Sequence, residues 1–211
     1  TVDTRPYFER VLCHALQAGL VDATRLDALR REGAKGIVQL ATYFGTPNLR
    51  PELEAARTGK PVWVLAGVGE PRPVRTTFTV SADTPEAMAA KAVSYAQAKS
   101  IKVKLTGDLD LDLARVAAIR AARPDVWLGV DGNQGFVRAD LDALVEGLSA
   151  YEISLLEQPL ARGCEAHLDG YRSAIPIAGD ESLISLADIA GAKGRFDVVN
   201  IKLDKCGGLT E

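Results

Sequence analysis

Cysteine and histidine are scarce in this sequence, and long apolar runs and glycine-rich fingerprints are missing altogether. Three cysteines, Cys13, Cys164 and Cys206, are odd in number and far apart. No disulfide framework or zinc motif follows from that spacing, and they read as reduced thiols of a cytoplasmic protein. The two histidines, His14 and His167, fall in helical stretches, which argues against chemistry built on imidazole. No apolar run approaches the roughly 18 residues of a membrane-spanning helix. The first residues show none of the charged, apolar and small-residue segments of a secretory signal. Lysines and arginines number 25 against 28 acidic residues, for a net charge of −3, and they are dispersed. No basic stripe points to nucleic acid and no amphipathic basic helix points to a membrane surface. These absences disfavour nucleic acid and membrane partners; a small-molecule substrate is expected from the residues discussed below, and homo-oligomerisation stays open.

What is present is a regular alternation. The chain has 211 residues, 47% of them hydrophobic, enough for a sizeable core. From Arg75 onward, short runs rich in Val, Ile and Thr are each followed by a stretch of helical period. Strands are expected at 76–80, 101–105, 127–130, 153–156, 175–178 and 198–203. Helices are expected at 84–99, 109–122, 138–150, 167–173 and 185–192. Asp83-Thr84-Pro85-Glu86 is a good helix start: a capping side chain, then proline, then an acid near the positive end of the dipole. Nearly continuous apolar strands suit a parallel sheet buried on both faces. No G-x-G-x-x-G follows the first strand, so the dinucleotide-binding form of such a sheet is disfavoured. Polar residues instead close several strands, where barrel enzymes keep their chemistry. The expected fold is α/β, a (β/α) TIM-type barrel with about six of eight βα units, preceded by a mostly helical N-terminal segment. The expected division is 1–57 helical segment, 58–74 linker and 75–211 partial barrel.

Three carboxylates stand at the ends of successive strands: Asp131, Glu157 and Asp180. Their spacing of about one βα unit would bring them together at the barrel mouth. Such a cluster is costly unless a cation neutralises it, and single carboxylates suit Mg²⁺. Taken alone, any one of them reads as a helix cap; it is the three at matching strand ends that point to a cation. Lys102 and Lys104 alternate on one strand and so point to one face. Lys202 ends the sixth strand, on the far side of the acids. A substrate carboxylate on the metal would hold its α-carbon between Lys104 and Lys202, one removing a proton and the other returning one to the opposite face. The base role needs a lysine whose pKa is depressed by neighbouring cations and desolvation. Glu181 reads as support for a lysine or a ligand rather than as a ligand itself. Gly207-Gly208 either offers backbone N–H groups to an anion or only makes the turn, and Cys206 lacks the neighbouring histidine of a nucleophile.

Five stretches carry a resemblance: Lys102-Val103-Lys104, Asp131-Gly132-Asn133, Glu157-Gln158-Pro159, Asp180-Glu181-Ser182 and Asn200-Ile201-Lys202. As a set they resemble the enolase superfamily in its muconate-lactonising subgroup. The string from Asn200 to Glu211 is most similar to dipeptide epimerases of the L-Ala-D/L-Glu type, as is Thr76–Val80 followed by Asp83-Thr84-Pro85-Glu86. The resemblance implies Asp131, Glu157 and Asp180 as Mg²⁺ ligands, Lys104 and Lys202 as the acid/base pair, and Lys102, Asn133 and Glu181 as substrate-side or supporting residues. It implies an isomerase: epimerisation of a dipeptide by proton abstraction next to a carboxylate, through an enediolate. Muconate cycloisomerisation and o-succinylbenzoate synthesis use the same residues and stay open, as does an inactive fragment or interaction module. Residues 1–57 do not match the family's capping domain and the last two βα units are missing, so the chain is expected to be truncated.

Overall fold

The computed structural model describes residues 58–202, together with the isolated positions 24, 55 and 205. The expected helices within 1–57, His14, Cys13, Cys206 and Gly207-Gly208 lie outside the described residues. The chain divides into two units: one of Thr1–Pro71 with Lys202–Glu211, the other of Arg72–Ile201. In the first, Pro61 opens a single helical turn, α1 (Val62–Leu65), inside the segment expected to be a linker. Its carbonyl accepts the N–H groups of Val64 and Leu65.

The second unit alternates strand and helix: β1 (Phe78–Val80), α2 (Pro85–Ser94), β2 (Ser100–Lys104), α3 (Leu109–Ala122), β3 (Trp127–Asp131), α4 (Leu141–Ser149), β4 (Leu155–Glu157), β5 (Ile177–Gly179), α5 (Ile189–Ala192) and β6 (Val198–Val199). The six strands pair in chain order and every described pairing is parallel. This is the wall of a (β/α) barrel, as the alternation predicts.

The helices form where side chains satisfy their first turns. Thr84 caps α2 by accepting from the Ala87 N–H at 3.3 Å, with Pro85 as its first residue. Asp108 caps α3 by accepting from Leu111 N–H at 3.1 Å. Each such cap is worth roughly 1 kcal/mol. The core lies between strands and helices. Val80, Ile101, Val103, Leu128, Val130 and Leu156 from the sheet are buried with Met88, Val116, Ile119, Leu141, Leu144 and Leu148 from the helices. Each fully buried side chain of this size stabilises the fold by about 1.5–3 kcal/mol.

Four expected helices are shorter than their pattern. Those over 138–150 and 185–192 open as 3-10 turns, Arg138–Asp140 and Leu186–Asp188, ahead of α4 and α5. The one expected over 84–99 stops at Ser94, because Tyr95 turns out of the helix. Its ring packs on Phe78 at 5.0 Å and its hydroxyl donates to the Thr79 carbonyl. Arg123 then takes up the carbonyls this break releases, donating to those of Ala92, Tyr95 and Ala98 at 2.7–3.0 Å while its Nε holds Asp125. The stretch 167–173 reduces to a 3-10 turn at Glu165–Leu168. Gly170, at φ +73°, ends it, and the neighbouring Asp169 is held by Arg195.

Candidate active site

Strand register sorts the side chains between two faces. Lys102 lies across from Gly129, Lys104 from Asp131, Asp131 from Glu157, and Glu157 from Ala178. Partners in a parallel ladder point the same way, so both lysines and both acids share one face. The other face carries Ile101, Val103, Leu128, Val130 and Leu156, packed in the helix-facing core. The charged face is therefore the inner one. Asp180 follows Ala178 by two residues and belongs to it, as does Asn200, two beyond Val198, the partner of Ala178. Lys104, Asp131, Glu157, Asp180 and Asn200 stand at or just past the strands' C-terminal ends, with Lys102 two residues further back along β2.

The side chains meet. Lys102 Nζ lies 2.9 and 3.1 Å from the two oxygens of Glu157 and 3.1 Å from Asp131 Oδ2. Lys104 Nζ lies 3.3 Å from the same Asp131 oxygen and 3.2 Å from Asn133 Oδ1. The other oxygen of Asp131 accepts the Asn133 N–H at 3.0 Å. Asp131, Glu157 and Asp180 are only 2–3% exposed. Buried carboxylates at this density require cations beside them, and Lys102 supplies one between two strands.

Burial works to lower the pKa of Lys102, but the hydrogen bond to Glu157 and the charges of Asp131 and Glu157 outweigh it and hold the group above the ordinary lysine range. Lys102 is thus a fixed cation. Burial raises the pKa of Glu157, and the adjacent Asp131 charge adds to this; Lys102 and Asn200 pull the other way without cancelling it.

The loop after β3 is shaped by close backbone approach. A Cβ on Gly132 would stand 2.7 Å from Pro159 Cα. Asn133 and Gln134 follow with φ of 46° and 63°, left-handed values that non-glycine residues seldom adopt. The turn is fastened to the β4 exit by Gly132 N–H to Glu157 O, Gln134 N–H to Gln158 O and Phe136 N–H to Pro159 O. Below it, buried Asp112 accepts the N–H groups of Thr106 and Gly107 and ion-pairs with Arg115, which reaches the Asp83 carbonyl. This network fixes the loop that follows Lys104.

The structure thus brings together Lys102, Lys104, Asp131, Asn133 and Glu157, with Asp180 on the same face. Glu181 follows Asp180 and has one carboxylate oxygen, Oε2, buried and without a hydrogen-bond partner among the described residues. Lys202 is the first residue of the segment grouped with the other unit. Two residues at the site were not singled out from sequence. Asn200 donates to Glu157 Oε1 at 2.7 Å, and Gln158 is wholly buried beside Glu157. Both lie inside quoted motifs; for Asn200 the available signal is a polar residue directly after an apolar strand, and for Gln158 the pattern holds none.

The donor set, buried carboxylates at neighbouring strand ends, is chemically suited to Mg²⁺. Among the described residues, no three His, Cys, Asp or Glu side chains are gathered so as to hold a metal ion. Lys102 instead occupies the space between Asp131 and Glu157.

A charged cluster at the strand exits of a parallel (β/α) barrel defines the barrel class of enzymes. Comparison with known proteins narrows this: the chain belongs to the family described as Enolase C-terminal domain-like, which matches residues 86–211. It is similar to the L-Ala-D/L-Glu epimerase of Escherichia coli (strain K12), with 40% identity over 162 residues, 76% of this chain and 50% of that protein. It is also similar to an N-acetyl-D-glutamate racemase of Pseudoalteromonas sp, with 41% identity over 133 residues, 63% of this chain and 42% of that one. Among solved structures, a dipeptide epimerase from Enterococcus faecalis V583, complexed with Mg and the dipeptide L-Leu-L-Tyr, superimposes with a TM-score of 0.72 at 31% identity, covering 84% of this chain and 54% of that one. The chain spans about half the length of the curated relatives it matches. Among the described residues no helix is long and apolar enough to cross a membrane.

Proposed function

We propose that this chain carries the acid, metal and lysine residues of a Mg²⁺-dependent dipeptide epimerase acting at a carbon next to a carboxylate. The observation that carries the reading is the inner-face cluster, where Lys104 and Lys102 lie within 3.3 Å of Asp131 and Lys102 also pairs with Glu157. Magnesium bound by Asp131, Glu157 and Asp180 would supply positive charge against the charge that develops on the substrate carboxylate. The remaining chemistry belongs to the lysines. One Nζ takes the α-proton, breaking the Cα–H bond and leaving its electron pair in an enediolate of the substrate. The second delivers a proton to the opposite face, and the stereocentre inverts. Lys104 is one of these groups. Lys202, two residues beyond Asn200 in the chain, is the other. Lys102, held cationic, fixes the carboxylate end, and Asn133 orients Lys104 by accepting from its ammonium.

The substrate class rests on the relatives. Dipeptide epimerases and an N-acetyl amino-acid racemase share one reacting unit, an amide nitrogen on the carbon that bears the hydrogen and the carboxylate. A second reading, racemisation of an N-acylated amino acid, is favoured by the latter relative. Incubation with Mg²⁺ in deuterium oxide separates them. L-Ala-L-Glu is expected to lose its α-proton signal in the NMR spectrum, and N-acetylglutamate to do so much more slowly; the reverse order selects the second reading. Lys104→Ala and Lys202→Ala are each expected to abolish inversion. Undiminished turnover in both overturns the two-base assignment.

A further inference from the structure

Gln158 is 1% exposed, with a backbone φ of 35° in the left-handed region. A long polar side chain in that position survives only if its hydrogen bonds are met, and here all are. Its Nε2 donates to the Leu160 carbonyl at 2.8 Å and to Ser182 Oγ at 2.7 Å. Its Oε1 accepts the N–H of Asp180 at 2.8 Å and of Ser182 at 3.1 Å. The two donors and two acceptor positions of an amide are thereby used. Three of the four bonds reach the β5 exit. The ladder between β4 and β5 ends with Glu157 opposite Ala178, two residues short of Asp180. Beyond that register the side chain of Gln158 continues the connection, and it does so from the residue directly after Glu157.

We propose that Gln158 is a positioning residue that sets the divalent-cation affinity of the carboxylate group by fixing the Asp180 backbone relative to Glu157. The inference rests on the magnesium reading above. Glu157 is placed by its strand, whereas Asp180 lies past the end of its own strand. Its N–H is held by Gln158, while its carbonyl accepts from Leu183 N–H and the preceding Gly179 carbonyl from Asn200 N–H. Loss of the bond to Gln158 lets the third acid shift, and a small hard ion with strict octahedral demands is sensitive to such a shift. Partners that orient ligands typically contribute about 10- to 100-fold in metal affinity.

The test is Mg²⁺ titration calorimetry on the full chain, well below its melting temperature, for the parent, Gln158→Met, Ser182→Ala and Asp180→Asn, each checked for folding by circular dichroism. Gln158→Met keeps the length and removes all four bonds; its Mg²⁺ Kd is expected to rise about 10- to 100-fold. Ser182→Ala removes one acceptor and is expected to raise Kd by a smaller factor. A folded Gln158→Met with parent Kd overturns the proposal, even if its melting temperature falls, because a purely structural residue would lower the melt alone. If Gln158→Met does not fold, an unchanged Kd in Ser182→Ala overturns it. If Asp180→Asn binds Mg²⁺ like the parent, the magnesium reading itself fails; if Asp180→Asn loses binding and the other two do not, only the positioning role fails.

Discussion

Lys102 on β2 is bonded to both oxygens of Glu157 on β4, across the one intervening strand β3, at 2.9 and 3.1 Å, while the same ammonium touches Asp131 on β3. One cation therefore serves two strands, and its removal leaves two buried acids face to face. Lys102→Met is expected to destabilise the protein by about 1–3 kcal/mol. This is below the roughly 3–5 kcal/mol of a fully buried pair, since a fifth of the Lys102 side chain meets water. Urea unfolding with and without Mg²⁺ checks this. The deficit should shrink when Mg²⁺ is present, because a bound ion stabilises the folded state. An equal deficit in both conditions would show that the ion does not share the acids with Lys102.

Arg115 and Asp112 form the pair beneath the loop after Lys104, with Arg115 Nη1 2.7 Å from Asp112 Oδ1 and Asp112 wholly buried. Arg115→Met strands that carboxylate, an uncompensated charge costing about 3–5 kcal/mol. The double variant with Asp112→Leu should recover part of the loss, since no lone charge is then buried. Equilibrium denaturation of the two variants decides it.

Gly132→Ala places a methyl group against the backbone of Pro159, and neither strand exit can yield freely. Overpacking of this kind costs about 1–3 kcal/mol. Because the displaced turn carries Asn133, the variant should also lose activity beyond its loss of stability. Measuring rate at a temperature where both proteins are fully folded tests this.

Asp125 contributes to acid stability far from the cluster. The hydrogen bond from Arg123 holds Asp125 below the usual aspartate value of 3.8, at about 2. A carboxylate with a depressed folded pKa stabilises the native state above its unfolded pKa and loses that contribution as pH falls through the folded one. The Asp125 contribution is therefore complete above about pH 4 and gone below about pH 2. Thermal melts across that window should show a shallower pH dependence in Asp125→Asn than in the parent protein.

The first five strands, and the placing of Lys102, Lys104, Asp131 and Glu157 on one face, were legible because each carries a strong local signal; the sixth, expected over 198–203, is only Val198–Val199 and stops short of Lys202. An apolar run ending in Asp or Glu marks a strand exit, and the alternation of Lys102 and Lys104 marks a face. The expected helix over 109–122 is α3 to the residue, since Asp108 caps it and a continuous stripe sustains it. The early end of α2 was not legible. It depends on Tyr95 meeting Phe78 and on Arg123 collecting carbonyls about 25 to 31 residues away. Gln158 was invisible for the same reason. Its importance lies in partners contributed by the next strand, and nothing in the pattern around it distinguishes a buried amide from an exposed one.

The guanidinium of Arg123 gathers three carbonyls at the N-terminal end of the barrel, while every charged group of the cluster stands at the other end. Foundation and workplace are thus separately built. A designer could diversify exposed positions around the strand exits in search of new substrates, keeping Gly132, Asp180 and Ser182, while the floor of the barrel with Arg123 is left untouched.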